Sequence, residues 1–133
     1  MKKQNVIHLS GQRKKAIARA TLTEGKGKVK INGTLLDNYS TSMLRMRIKE
    51  PLILAEDLAK TKNINVKVNG GGVNGQADAA RLAIARVLVE QDPKLKKVFY
   101  DYDRLLLVAD VRENEECKPN DSKPRKKRQK SYR

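Results

Sequence analysis

The sequence predicts an α+β fold, a two-layer α/β sandwich of helices on one sheet followed by an extended basic carboxy-terminal tail, and three observations predict it. Several short segments place apolar residues at alternate positions, while one long segment repeats them at 3.6-residue spacing, which is the mixture of a helix layer on a sheet. The 133 residues and 15.0 kDa suit one domain, because compact domains run to about 100–200 residues. The formal net charge of +15 is divided unevenly, since the last 17 residues hold +7 with no apolar period among them. A globular domain over 1–112 and a tail over 113–133, disordered when free, are therefore expected.

The elements follow in order. Asn5–Leu9 is a short β-rich run. Lys15–Thr23 places Ala16, Ala18, Ala20 and Leu22 on one face and Ile17, Arg19, Thr21 and Thr23 on the other, the period-2 pattern of a half-buried strand. Glu24-Gly25 turns the chain. Lys26–Ile31 alternates again, with Lys26, Lys28 and Lys30 as an outward lysine row, and Asn32-Gly33 ends it with turn chemistry.

Ser40-Thr41-Ser42 offers capping hydroxyls before Met43–Ala55, where Leu44, Ile48, Leu52 and Ala55 recur at helical spacing. Pro51 within that pattern predicts a kink or break near Glu50-Pro51, because proline lacks the N–H and clashes with the preceding turn. Ile64, Val66 and Val68 mark another one-sided strand, stopped by Gly70-Gly71-Gly72. The clearest helix runs from Val73 to Glu90, with Val73, Ala77, Ala80, Ile84, Val87 and Leu88 on one stripe. Arg81 flanks the stripe and Arg86 points away from it. Pro93 opens a helical turn through Val98, Asp101-Tyr102-Asp103 reads as a turn in which the carboxylates pair with Arg104, and Leu105–Val111 reads as an apolar extended run.

Composition excludes several function classes. The longest apolar runs, Leu52–Ala55 and Leu105–Ala109, fall far short of the ~20 residues of a spanning helix, so a soluble chain with no membrane partner is expected. The amino-terminal MKKQNVIHLSGQRKK has no apolar core of signal-peptide length. Cys117 is the one cysteine and His8 the one histidine, which leaves no disulfide, metal cluster or nucleophile–base pair to build on. No catalytic residue, metal, cofactor or small-molecule substrate is expected.

The basic segments point to a polyanion. Arg13-Lys14-Lys15, the row Lys26, Lys28 and Lys30, and the tail residues Lys123, Arg125, Lys126, Lys127 and Arg128 offer phosphate contacts from several sides of a small body. Arg81 joins this candidate set. The junction Gly70–Gln76, GGGVNGQ, leads a strand into a helix amino terminus, where backbone N–H groups hold anions. It lacks the lysine and hydroxyl of a P-loop, so Gly71, Gly72 and Gln76 suit a nucleic-acid phosphate better than a nucleotide. Only five aromatic residues are present, with no strand that alternates them for base stacking, so recognition is expected to rest on phosphates and RNA shape. The tail ends in Lys130, Ser131, Tyr132 and Arg133, a probe that stacks or hydrogen-bonds at its tip. An architectural DNA-binding protein and a phosphotransferase using GGGVNGQ are the alternatives; the first lacks a helix with a clustered basic face, the second a base and a phosphate lysine.

The residues Gly70–Leu88, GGGVNGQADAARLAIARVL, with GQRKKAIARATLTEGKGKVKING over Gly11–Gly33 and RIKEPLILA over Arg47–Ala55, resemble the universal small-subunit ribosomal protein nine family. The ending QKSYR and the segment DYDRLLLVADVR resemble its archaeal and eukaryotic branch, and the short length points to the archaeal side. The chain departs from that family at Asn120–Arg128, where relatives carry a Gly-Pro-Gly-Ala-Arg type stretch. The resemblance implies a body folded like the second domain of small-subunit ribosomal protein five, docked on rRNA in the subunit head beside neighbouring head proteins in the cytoplasmic ribosome. It also implies a tail that reaches peptidyl-site tRNA, with Arg133 as terminal contact and Lys130, Ser131 and Tyr132 leading to it.

Overall fold

A computed structural model describes residues 6–120, 123–125, 127 and 129–132. Five strands form one sheet: β1 (Ile7–Arg13), β2 (Ala16–Glu24), β3 (Val29–Ile31), β4 (Thr34–Leu35) and β5 (Lys62–Asn69), in the order β1-β2-β5-β3-β4. The helices are α1 (Ser42–Leu54), α2 (Glu56–Thr61), α3 (Val73–Gln91) and α4 (Leu95–Tyr102). All neighbouring strands run antiparallel except β3 and β5. The mixed α+β class expected from the sequence is the class observed.

The alternation in β2 and β5 sets the layers. Ala16, Ala18, Ala20 and Leu22 are buried, as are Ile64, Val66 and Val68 opposite them, while Arg19, Asn65, Lys67 and Asn69 are exposed. One sheet face therefore holds the helices and the other stays open. The core is thin because both layers are made of small residues: Ala77, Ala79, Ala80, Ala83 and Ala85 of α3 are fully buried. A Cβ at Gly11 would lie 2.6 Å from the carbonyl oxygen of Ala79 and 2.7 Å from the amide nitrogen of Ala83, so α3 rests directly on the β1 backbone. Phe99, Leu22, Ile31, Ile48, Ile84 and Leu106 supply the bulk.

Several boundaries differ from the sequence expectation. Helix α1 continues through Pro51 to Leu54 and breaks at Ala55, whose φ of −116° and ψ of 40° leave the helical region. Pro51 is itself fully buried, and packing there outweighs the lost donor. Strand β3 begins at Val29 rather than Lys26, because Gly27 has φ 77° and the preceding loop wraps Asn63, whose Oδ1 accepts from the amides of Lys26 and Lys28 at 3.0 Å each. Asn32 and Gly33, with φ 50° and 84°, turn the chain tightly into β4, a pairing the alternation did not reveal because β4 is two residues long. Asp101 and Tyr102 lie within α4 rather than in a turn, and Leu105–Val111 forms a 3₁₀ turn at Arg104–Leu106 and irregular backbone rather than a strand. Fully buried Leu106 explains the difference: the segment packs side chains under α3 and adds no strand to the sheet.

Candidate nucleic-acid interface

Two cationic and glycine-rich segments that lie 55 residues apart meet at one end of the sheet. The β1–β2 hairpin turns at Lys14 and Lys15, both exposed, with Lys14 at φ 52°. The Gly70–Gly72 junction passes directly beneath. Gly70 and Gly71 have φ 76° and 64°, and Cβ atoms there would stand 2.6 Å from the Lys15 carbonyl oxygen and 2.9 Å from the Ala16 amide nitrogen. Positive φ and backbone contact both require glycine. Gly72 differs, since a Cβ at that position would meet nothing within 4 Å.

Helix α3 starts from Gly72 with no side-chain cap. Its first N–H groups carry the positive end of the helix dipole and open beside the two hairpin lysines. Gln76 donates its side-chain amide to the Gly70 carbonyl at 3.0 Å, which fixes the loop. Lys14, Lys15, Gly71, Gly72 and Gln76 are thus brought together at one corner of the fold.

Three other basic residues are used inside the protein. Arg13 donates to the Arg112 carbonyl at 2.7 Å and lies 3.7 Å from Asp110. Arg81, with 12% of its side chain exposed, is clamped between Glu50 and Asp103. Its charge is neutralised between α1 and the start of the 3₁₀ turn. Arg86, expected to point away, donates to the Ser10 carbonyl at 2.8 Å and the Leu107 carbonyl at 3.2 Å, tying the sheet edge to the chain beyond α4. Asp103 pairs with Arg81 rather than Arg104, and its Oδ1 accepts from the Leu105 amide.

The lysine row is distributed over a loop and a strand. Lys26 and Lys28 sit on the Gly25–Lys28 loop and Lys30 on β3, all exposed. In the tail, Lys123, Arg125, Lys127, Lys130, Ser131 and Tyr132 are exposed, Tyr132 to 88%. Arg125 folds back on Glu115 through two oxygens at 2.9 and 3.0 Å, an exposed pair of the kind worth little in water. Lys126, Arg128 and Arg133 lie outside the described residues. The Asp110 carboxyl is held well below the usual carboxylate range, first by hydrogen bonds from Arg112 and then by the nearby Arg13 charge.

The sequence reading missed Arg19 and Lys67. Each sits on the open sheet face in an alternating strand, and only the register places them side by side. Among the described residues no group of three or more metal-ligating side chains occurs, and no helix is long and apolar enough to cross a membrane.

The family described as ribosomal protein S9/S16 matches residues 11–133. The small ribosomal subunit protein uS9 of Thermoplasma volcanium is 52% identical over 126 residues, covering 93% of this chain and 96% of that protein. The same protein of Thermoplasma acidophilum is 51% identical over 126 residues, covering 93% and 98%, and that of Methanococcus vannielii is 46% identical over 132 residues, covering 96% and 98%. The chain therefore belongs to the ribosomal protein S9/S16 family, whose members are structural constituents of the ribosome and not enzymes.

Proposed function

We propose that this protein binds small-subunit rRNA through its body, as part of the subunit head, and reaches peptidyl-site tRNA with its tail. In this reading the body, similar in architecture to the second domain of small-subunit ribosomal protein five, spans 1–112 and the arm spans 113–133. The observation that carries the reading is the convergence of Lys14 and Lys15 with the uncapped start of α3. A backbone phosphate there meets two ammonium groups and a set of N–H donors at once. Lys26, Lys28 and Lys30 add phosphate contacts along the next loop and strand, and the head proteins nearby complete the site.

The arm supplies the second contact. Its exposed cations, Lys123, Arg125, Lys127 and Lys130, have little to hold them on the body, so the arm is free to order along RNA. Lys126 and Arg128 extend the same charge run, while Ser131, Tyr132 and Arg133 form the tip at the tRNA. The Arg125–Glu115 pair opens when a phosphate replaces the carboxylate. Arg13 and Arg81 have carboxylate partners within the body and have no part in this proposal.

The test begins with co-sedimentation on 30S-sized particles after a high-salt wash, where retention is expected and loss would sink the reading. For the arm, removing Ser122–Arg133 is expected to reduce the log–log salt slope of binding to a small-subunit rRNA transcript by about 3–4, as for five single-strand phosphates. An unchanged slope rejects the arm as a phosphate-binding element.

A further inference from the structure

The β2–β5 register places Arg19 directly opposite Lys67. Directly opposed residues on one face have Cβ atoms about 4.5–5.5 Å apart, and like charges at that spacing destabilise a sheet. Both side chains are exposed on the face that carries no helix, and neither enters an ion pair among the described residues. Lys30 stands one strand further on, paired in register with Asn65, which makes it a diagonal neighbour of Lys67. The outward strand positions around these three cations hold mostly hydroxyl and amide side chains, such as Ser10 opposite Arg19, with His8, Ile17 and Leu35 at the margins and no carboxylate.

A half-exposed sheet face usually alternates charge signs or pairs them, since opposed opposite charges contribute roughly 0.2–1 kcal/mol and like charges cost a similar amount. Here the free protein keeps a like-charged pair at the centre of a five-stranded sheet with a third cation beside it. An anion between Arg19 and Lys67 reverses the sign of that interaction. The arginine fork takes the two non-bridging phosphate oxygens while the lysine ammonium shares one of them. Neighbouring amides and hydroxyls suit ribose and phosphate edges, and the face carries no Phe, Tyr or Trp for base stacking, its one ring being His8, hydrogen-bonded to the Thr21 hydroxyl.

We propose that the open sheet face is a second RNA-docking surface, on which Arg19 and Lys67 clamp one backbone phosphate and Lys30 takes the next. This rests on the reading of the body as an rRNA-binding domain. It adds a site separate from the corner formed by the hairpin and the start of α3.

The experiment measures the salt dependence of binding to a full-length small-subunit rRNA transcript for the full chain, the double variant Arg19→Gln/Lys67→Gln, and the control Lys96→Gln/Lys97→Gln, which removes the same charge from exposed positions on α4. The sheet-face variant is expected to lower the log–log slope by about 1, for the one phosphate that the two cations share, while the control leaves it within error. Equal slopes for the two variants overturn the proposal and leave rRNA binding by the body standing. Failure of the full chain to bind the transcript overturns the parent reading instead. A second readout is the free protein's stability. Lys67→Glu sets a carboxylate opposite Arg19, so the melting temperature is expected to rise as RNA binding weakens. A fall in both melting temperature and binding marks a structural position and rejects the clamp.

Discussion

A Cβ on Gly70 would lie 2.6 Å from the carbonyl oxygen of Lys15. That close approach holds the strand-to-helix junction against the β1–β2 hairpin and brings the hairpin lysines to the start of α3.

Gly70→Ala is therefore expected to cost about 2–4 kcal/mol, from a left-handed backbone worth about 1–2 kcal/mol and a backbone clash added to it. Gly72→Ala, at φ −98° and with open space around the new methyl group, is expected to leave stability within about 0.5 kcal/mol. Chemical denaturation of both variants checks the contrast, and equal costs would mean the junction is not seated on the hairpin.

Arg81 separates an internal cation from an RNA-binding one. Arg81→Met is expected to lower stability by about 2–3 kcal/mol, because Glu50 and Asp103 lose their shared partner in a mostly buried setting, while the salt slope of rRNA binding stays unchanged. A reduced slope without a loss of stability would assign Arg81 to the interface.

The Asp110 carboxyl gives a test by titration. Its folded-state pKa lies below the unfolded value of about 3.9, so its contribution to stability is present above that value and is lost as pH falls from about 4 through the folded pKa. Carbon-13 NMR titration is expected to show a midpoint well below 3.9. Arg112→Ala should return it most of the way, since Arg112 hydrogen bonds are the larger cause, and Arg13→Ala should move it less. The reverse ranking would make Arg13, reaching across from β1, rather than the local Arg112, the principal partner of the carboxylate.

The tip of the tail is separable from the body. Deleting Tyr132 and Arg133 is expected to leave subunit assembly intact and to weaken retention of peptidyl-site tRNA, measured by filter binding on reconstituted subunits. Loss of assembly would place the tip's role in rRNA folding.

Much of the fold is legible in the sequence, because period-2 burial in Ala16–Leu22 and Ile64–Val68 and the stripe from Ala77 to Leu88 are local signals. The misreadings fall where a distant contact overrides a local preference. Pro51 stays helical because it is buried, and Leu105–Val111 is not a strand because Leu106 packs beneath α3. At the candidate site, exposed Lys14, Lys15 and the glycine junction were readable from composition and turn chemistry, while their adjacency was not.

By itself the sequence determined the α+β class, the inward face of each long strand and the division of charge between body and tail, since all three depend on residue type and short-range period. The tertiary structure alone decided which cations are available. Arg13, Arg81 and Arg86 are taken by groups between 21 and 99 residues away, whereas Arg19 and Lys67 face each other across two strands with no carboxylate between them. Coulomb energy depends on distance in space, and strand register, which sets that distance here, is a property of the folded sheet rather than of either strand.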